Sequence, residues 1–230
     1  MRNPEALQTP NASADGAPDG APRASHSTRV LATIALVGAV LYVLVDIVLQ
    51  ALPPHYSVVS EAESNLAVGP YGWVMNLNFL ARGVVTVCAV AALARFGPRT
   101  RVRRTGLGLM LGAGACSAAL ALLPTDIPAK DAPGLEPMTA LGTAHLVVAA
   151  GGFLAALVAF GLLTLWLRRS DDLRGAYPAA AVFTGVAALG LLALGIAAVW
   201  VPGVIGLAER VSLAGVLGWV IAVCLVVRRR

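Results

Sequence analysis

Six apolar segments, each long enough to cross a lipid bilayer, make up most of this 230-residue chain. A helix rises about 1.5 Å per residue, so about 20 residues cross the roughly 30 Å hydrocarbon core. Only 13% of the residues are charged, against about 25% in soluble domains. The pattern predicts an all-α integral membrane bundle of six transmembrane helices within 29–230. The predicted segments are 30–52, 71–96, 105–123, 139–167, 177–201 and 207–227.

The basic residues lie almost wholly on one side of the predicted membrane. Of the 17 Lys and Arg residues, 14 fall in the N-terminal tail, the second and fourth connections, and the C-terminus. Arg82 and Arg210 lie within or at the edge of apolar segments, which leaves Lys130 for the other connections. Because cytoplasmic loops carry an excess of Lys and Arg, we predict that the N-terminus and the C-terminus are both cytoplasmic.

Composition also predicts the state of the N-terminal tail, the class of partner and the cellular location. Residues 1–28 are rich in Pro, Ala, Ser, Asp and Gly, which predicts a disordered cytoplasmic tail. The arginines form no basic face with interleaved aromatics, which argues against nucleic-acid binding and leaves the lipid bilayer as the predicted partner. Lys130 is the single lysine among many arginines, a bias typical of GC-rich genomes, so we predict a bacterial plasma membrane. No motif indicates a cofactor or a metal site.

Polar residues gather in the predicted outward half of the bundle. A charge at the bilayer centre costs at least about 2.5–3.5 kcal/mol on insertion scales. We therefore expect Asp46 and Arg82 to face the bundle interior and to pair with each other, either as a structural lock or as part of a functional pocket. The predicted binding residues are Asp46, Glu61, Arg82, Asp126, His145, Glu209 and Arg210.

The first outer connection has a local pattern of its own. Ser60 and Glu63 match the S-x-x-E capping box, which predicts a structural role at the start of a short helix. Ser57, Glu61 and Ser64 recur at helical spacing and would give that element a polar face. The element is therefore a candidate lid over the bundle.

His145 lies within the fourth apolar segment, where a neutral polar group also needs a partner. It either hydrogen-bonds across helices or acts as a proton relay, general base or metal ligand. In a catalytic hypothesis Asp126 orients His145, and Ser57 or Ser60 is the nucleophile. A zinc site built from Asp126, His145 and either Glu209 or the loop histidine His55 has no supporting motif.

Small residues predict close helix packing. Gly108 and Gly112 form a small-xxx-small pair in the third segment, which serves either intramolecular packing or a dimer seam. The sequence leaves the oligomeric state open.

Several of these features together resemble the domain of unknown function 998 (DUF998) family of bacterial multi-pass membrane proteins. The resemblance covers about 30–227 and implies the six-span fold, while no activity comes with it. Family members often have Ser-Asp-Leu-Gly where this chain has Ser-Asn-Leu-Ala at 64–67. The residues that carry the resemblance are 55–61, 69–76, Leu123-Pro124-Thr125-Asp126, His145 and Glu209-Arg210.

Three functions remain as hypotheses. The first is a protein that binds a lipid or a membrane partner in an outward-facing polar pocket. The second is a membrane-embedded hydrolase or transferase acting on lipid. The third is a small proton-coupled transporter that uses Asp46, Arg82 and His145, although the apolar inner halves of the segments argue against a continuous polar path.

Overall fold

The computed structural model describes residues 24–52, 56–127 and 137–230, and all the regular secondary structure in these ranges is helical. The predicted all-α bundle is therefore confirmed. Short 3-10 helices lie in three connections, at Glu63–Ala67, Arg174–Ala176 and Pro202–Val204. The six long helices are α1 His26–Ala51, α2 Gly72–Leu93, α3 Arg101–Leu120, α4 Ala140–Arg168, α5 Tyr177–Trp200 and α6 Ile205–Arg229.

Within the described ranges, five of the long helices are long and apolar enough to cross a membrane, and α3 is the exception. Its 20 residues correspond to about 30 Å, but its first turn is rich in arginine. The helix nevertheless runs the length of the bundle. Arg103 lies over the ring of Trp166 near the end of α4, while Leu123, beyond the other end of α3, contacts His145 near the start of α4. The orientation of the termini stays a prediction.

The helices begin and end within four residues of the predicted segments, and side-chain caps explain the earlier starts of α1 and α3. The Ser25 side chain accepts a hydrogen bond from the Thr28 backbone N–H, which begins α1 at His26. Thr100 caps α3 in the same way, so that this helix begins at Arg101. Most of the predicted tail lies outside the described residues.

Consecutive helices pack as antiparallel neighbours, and the contacts are most extensive between α5 and α6 and between α3 and α4. Helix α1 packs against α2 and α6. Helix α4 contacts α5 less than it contacts α3, and it only touches α6. Space therefore remains between the α3–α4 hairpin and the rest of the bundle, and the candidate site lies there.

Helices α5 and α6 approach each other closely where each carries a glycine. Gly190 lies against the α6 backbone, and Gly215 lies against the backbone of Ala187, so that a Cβ atom at either glycine would overlap the neighbouring helix. Gly108 and Gly112, the predicted packing pair, instead have nothing within 4 Å of an added Cβ. The close approach thus occurs between α5 and α6, through different glycines.

We expect Gly215→Val to lower the free energy of unfolding, since overpacking costs about 1–3 kcal/mol. Gly112→Val is the matched control, because its Cβ enters open space. Thermal unfolding in detergent, followed by tryptophan fluorescence, measures both. Equal midpoints for the two variants would contradict the proposed close packing of α5 on α6.

Candidate functional site

A cavity of about 1030 Å³ lies at the end of the bundle opposite the arginine-rich connections. It is enclosed by the first connection and by α2, α4, α5 and α6. This volume is at the upper end of the range for small-molecule sites, about 300–1,000 Å³. Asp46 and Arg210 are not among the described residues that line it. The predicted site residues in its wall are Ser57, Ser60, Glu61, Arg82, Asp126, His145 and Glu209.

Glu63 is at the centre of the polar contacts, and its side chain is only 3% exposed. The Tyr42 hydroxyl donates a hydrogen bond of 2.9 Å to Glu63 Oε2. Arg82 Nη1 lies 3.8 Å from the same oxygen. The Glu63 backbone N–H donates to Glu209 Oε2 at 2.7 Å. One residue of the first connection therefore joins α1, α2 and α6.

Arg82 is held by neutral groups as well as by Glu63. Its Nε donates to Ser117 Oγ at 2.7 Å, and its Nη1 donates to the Tyr42 hydroxyl at 3.0 Å. Its guanidinium carbon lies 5.0 Å from the centre of the Tyr42 ring. Ser117 Oγ in turn donates to the Phe79 carbonyl at 2.9 Å. These contacts anchor the arginine between α1, α2 and α3.

The predicted ion pair between Asp46 and Arg82 is wrong. Gln50 Nε2 donates to Asp46 Oδ2 at 2.5 Å, and the one ion pair recorded among the described residues joins Arg82 to Glu63. The physical reason is the position of these residues along α1. Tyr42 lies one turn before Asp46 on α1 and meets Arg82 directly, while Glu63 occupies the space where the aspartate was expected.

The capping-box interpretation concealed the role of Glu63. The 3-10 helix begins at Glu63 with Ala62 in the N-cap position and no side-chain cap. The backbone N–H of Ser60 instead donates to Ser57 Oγ at 3.3 Å. Glu63 is instead the first residue of this helix, and its side chain is buried. One signal in the sequence could have identified Glu63, because Arg82 in an apolar segment needs a carboxylate partner. The sequence analysis assigned that role to Asp46.

Burial raises the pKa of Glu63 from its ordinary value of 4.5 to about 8. Desolvation is the largest cause, because a charge loses its hydration in the bundle interior. The guanidinium of Arg82 lowers the pKa, the nearby carboxylates of Glu209 and Asp46 raise it, and the Tyr42 hydrogen bond lowers it. Since Arg82 is 3.8 Å away and shared with other acceptors, burial prevails.

Asp126 accepts hydrogen bonds from the N-terminus of α4. Its carboxylate accepts hydrogen bonds from the backbone N–H groups of Met138 at 2.7 Å and Thr139 at 2.8 Å, and from the Thr139 hydroxyl at 2.9 Å. The Thr139 backbone bond is the main cause that lowers the pKa of Asp126 below its ordinary value. A carboxylate also suits the positive end of a helix dipole. Asp126 is therefore bound to the N-terminus of α4, which carries His145.

His145 is oriented by a backbone carbonyl, whereas the sequence predicted Asp126. Its Nδ1 lies 2.6 Å from the Leu123 carbonyl oxygen. A carbonyl only accepts, so Nδ1 carries the hydrogen, and in the neutral imidazole Nε2 then carries a lone pair. The residue is 4% exposed, and Nε2 has no partner in the described part of the chain. His145 thus brings an unused acceptor to the cavity wall.

The two serines do not form a nucleophile–base pair with His145. Ser57 Oγ accepts from the Ser60 backbone, and no hydrogen bond joins either serine to His145 among the described residues. Glu61 lies beside them in the wall of the cavity. Their shared position in the first connection places these side chains in the wall of the same cavity as His145.

Glu209 and Arg210 point to different partners, as adjacent helical residues must. Glu209 binds the backbone of Glu63 and lines the cavity. Arg210 Nη1 donates to the carbonyls of Val58 and Glu61, each at 3.2 Å, and its Nη2 donates to the Tyr56 hydroxyl. Arg210 therefore fastens the first connection to α6 from outside the cavity.

A second, smaller cavity of about 70 Å³ lies deeper in the bundle and is lined almost entirely by apolar side chains. It is bounded by α2, α3, α4 and α6. Four residues line both cavities, so the two spaces adjoin at the level of the Arg82 guanidinium: Arg82, Leu120, Ala149 and Phe153.

Metal ligation finds no support in the described ranges, where no three His, Cys, Asp or Glu side chains are placed to hold an ion. Of the hypothetical zinc ligands, Asp126 is occupied by the start of α4 and Glu209 by the Glu63 backbone. His55 lies outside the described residues. The chemistry available in the cavity wall is therefore hydrogen bonding and charge.

A double-mutant cycle tests the corrected ion pair. We expect Glu63→Gln and Arg82→Met to show a coupling free energy of about 0.5–3 kcal/mol, the range for residues in one network. Asp46→Asn with Arg82→Met is the matched cycle and should give a smaller coupling. The measurement is the free energy of unfolding in detergent at a pH above about 8, where the Glu63 carboxylate is ionised. A larger coupling for Asp46 would contradict the assignment of Glu63 as the partner.

The raised pKa of Glu63 predicts a pH dependence of stability. Between 4.5 and about 8 the folded protein holds a proton that the unfolded chain releases, so the free energy of unfolding falls as pH rises. The thermal midpoint should therefore decrease across this window. Glu63→Gln, which cannot ionise, should remove most of the decrease. An unchanged slope in that variant would assign the effect to another group.

Comparison with known proteins places the chain in a family. Residues 36–226 match the family model described as "Protein of unknown function (DUF998)". This range exceeds four-fifths of the chain and includes every candidate site residue. No curated protein and no solved structure matches the chain. The resemblance noted from the sequence is confirmed, and the chain belongs to the DUF998 family of membrane proteins of unknown function.

Proposed function

We propose that the protein binds an amphiphilic membrane lipid. The headgroup occupies the large cavity, and part of an acyl chain enters the small apolar one. The observation that carries this proposal is that the two spaces adjoin, since Arg82, Leu120, Ala149 and Phe153 line both. A chamber that is polar at one end and apolar at the other matches an amphiphile better than a polar solute.

The polar groups favour binding because they are fixed before a ligand arrives. Arg82 is held by Ser117 and Tyr42, and His145 is held by the Leu123 carbonyl. Groups that are already oriented lose little conformational entropy when they bind. Buried polar groups are also costly unless they find partners. A headgroup would provide the partner that His145 Nε2 lacks within the described residues.

The wall between α4 and α5 suits a ligand that comes from the membrane. Ala150 of α4 and Gly195 and Ala198 of α5 line the cavity in this region. Small side chains leave little bulk between the cavity and the surrounding hydrocarbon. We propose that a lipid enters sideways through this wall.

We also propose that the cavity faces the outer leaflet of a bacterial plasma membrane. This placement rests on the positive-inside rule, because the arginine-rich connections lie at the opposite end of the bundle. Both termini are then cytoplasmic. Lipid of the outer leaflet is the ligand supply that this topology provides.

Binding accounts for the geometry better than the other two hypotheses. Hydrolysis or group transfer requires a nucleophile within hydrogen-bond reach of its base, and Ser57 and Ser60 make no such bond to His145 among the described residues. Transport requires a polar path to the other face. The space below Arg82 is apolar instead, and Asp46 lies outside the cavity lining within the described part.

Filling the junction between the cavities tests the proposal. We expect the wild-type protein, purified in detergent, to retain lipid that mass spectrometry of the intact complex detects. Ala149→Trp places an indole where the cavities meet and should remove most of this lipid. Val147→Trp is the matched control, since Val147 lies on the same helix and is 65% exposed on its outer face.

The proposal requires a difference between the two tryptophan variants. Equal lipid retention in Ala149→Trp, Val147→Trp and the wild-type protein would contradict binding in these cavities. So would the absence of retained lipid from wild-type protein that unfolds cooperatively in the same detergent.

A further inference from the structure

The charged side chains in the wall of the large cavity are mostly acidic. Glu61, Asp126 and Glu209 line it together with Glu63, whose pKa of about 8 keeps it protonated at lower pH, while Arg82 is the one Lys or Arg side chain among the described lining residues. A site for an anionic headgroup would be expected to show the opposite balance, because Arg and Lys are the usual partners of phosphate. The wall therefore favours a ligand with a positive charge.

Some of these carboxylates are already engaged within the protein. Asp126 binds the start of α4, and Glu63 binds Tyr42 and Arg82. Glu209 uses Oε2 for the Glu63 backbone. Within the described residues, neither Glu209 Oε1 nor the Glu61 side chain accepts a hydrogen bond.

His145 adds an independent observation that points to a ligand. The imidazole is 4% exposed, lines the cavity and has no partner at Nε2 within the described residues. Because Nδ1 donates to the Leu123 carbonyl, Nε2 is the acceptor nitrogen of the neutral imidazole. A buried acceptor without a partner is costly, and a ligand that donates a hydrogen bond would relieve this cost.

We infer that the lipid headgroup bound in this cavity carries a protonated primary amine. An ammonium group supplies one positive charge and three N–H donors, which complement the carboxylates of Glu61 and Glu209 and the Nε2 lone pair of His145. The inference rests on the proposed function and specifies its ligand class.

Arg82 completes the match to a zwitterionic phospholipid. Its Nε and Nη1 are engaged by Ser117 and Tyr42, while Nη2 makes no hydrogen bond within the described residues. A guanidinium N–H suits a phosphate oxygen. In a headgroup that has both groups, the ammonium would bind the acidic side chains of the wall, and the phosphate would bind Arg82.

Three lipids with identical acyl chains separate the possibilities. Phosphatidylethanolamine has a primary ammonium group. Phosphatidylcholine has a quaternary ammonium group without N–H donors, and phosphatidylglycerol has no ammonium group. We expect phosphatidylethanolamine to bind about tenfold more tightly than either alternative, the change that one charge-assisted hydrogen bond produces. Titration of delipidated full-length protein in detergent, followed by thermal midpoint and intact-complex mass spectrometry, measures the three affinities.

Two acid-to-amide variants identify the recognising groups. Glu61→Gln, whose side chain is only half-buried, should fold normally and reduce the preference for phosphatidylethanolamine. Asp171→Asn changes an exposed carboxylate in the connection between α4 and α5, away from the cavity, and should keep the preference. His145→Phe removes the buried acceptor and should reduce the preference further.

The outcomes distinguish a failure of the ammonium assignment from a failure of the proposed lipid site. Equal or tighter binding of phosphatidylcholine or phosphatidylglycerol would overturn the ammonium assignment, while lipid binding that Ala149→Trp abolishes would still support the lipid site. A preference for phosphatidylethanolamine that Glu61→Gln and His145→Phe leave unchanged would also overturn it. Failure of all three lipids to bind would overturn both proposals.

Discussion

The need to compensate the Arg82 guanidinium, whose side chain is 15% exposed, organises this end of the bundle. Arg82 lies deep in α2, where hydrocarbon cannot hydrate a charge, so its donors must find partners inside the protein. Ser117, Tyr42 and Glu63 provide them from α3, α1 and the first connection. The arrangement draws Glu63 into the bundle and fixes how deep the connection sits. The shape of the large cavity follows from that depth.

The first connection is consequently a structural part of the bundle. Glu63 fastens it from within, and Arg210 fastens it from outside through backbone carbonyls and Tyr56. The Leu207 backbone N–H also donates to the Val59 carbonyl at 3.0 Å. A segment with so many attachments forms a fixed wall. The first connection is therefore better described as a wall of the cavity than as the lid that the sequence suggested.

Polar and apolar functions are divided between the two sides of the cavity. The first connection and α6 provide the carboxylates, whereas the α3–α4 hairpin provides His145 and much of the apolar lining. The hairpin packs tightly within itself and only touches α6. A ligand between the two sides would bridge elements that otherwise share little contact. This division links the packing of the helices to the proposed lipid site.

The membrane class, the six helices and their approximate ends were predictable from local sequence patterns, because the length of an apolar segment is a local property. The sequence also identified His145, Arg82 and Glu209 as candidate residues, since polar groups in apolar segments stand out without any structure. Only the tertiary structure decided the partners. Asp46 and Glu63 are both acids near the same end of the bundle, and the choice between them depends on helix rotation and on the depth of a connection. Asp126 likewise precedes His145 and was expected to bind it, but the free N–H groups at the start of α4 bind the Asp126 carboxylate instead. Pairing is a property of three-dimensional proximity, which a linear pattern of residues does not contain.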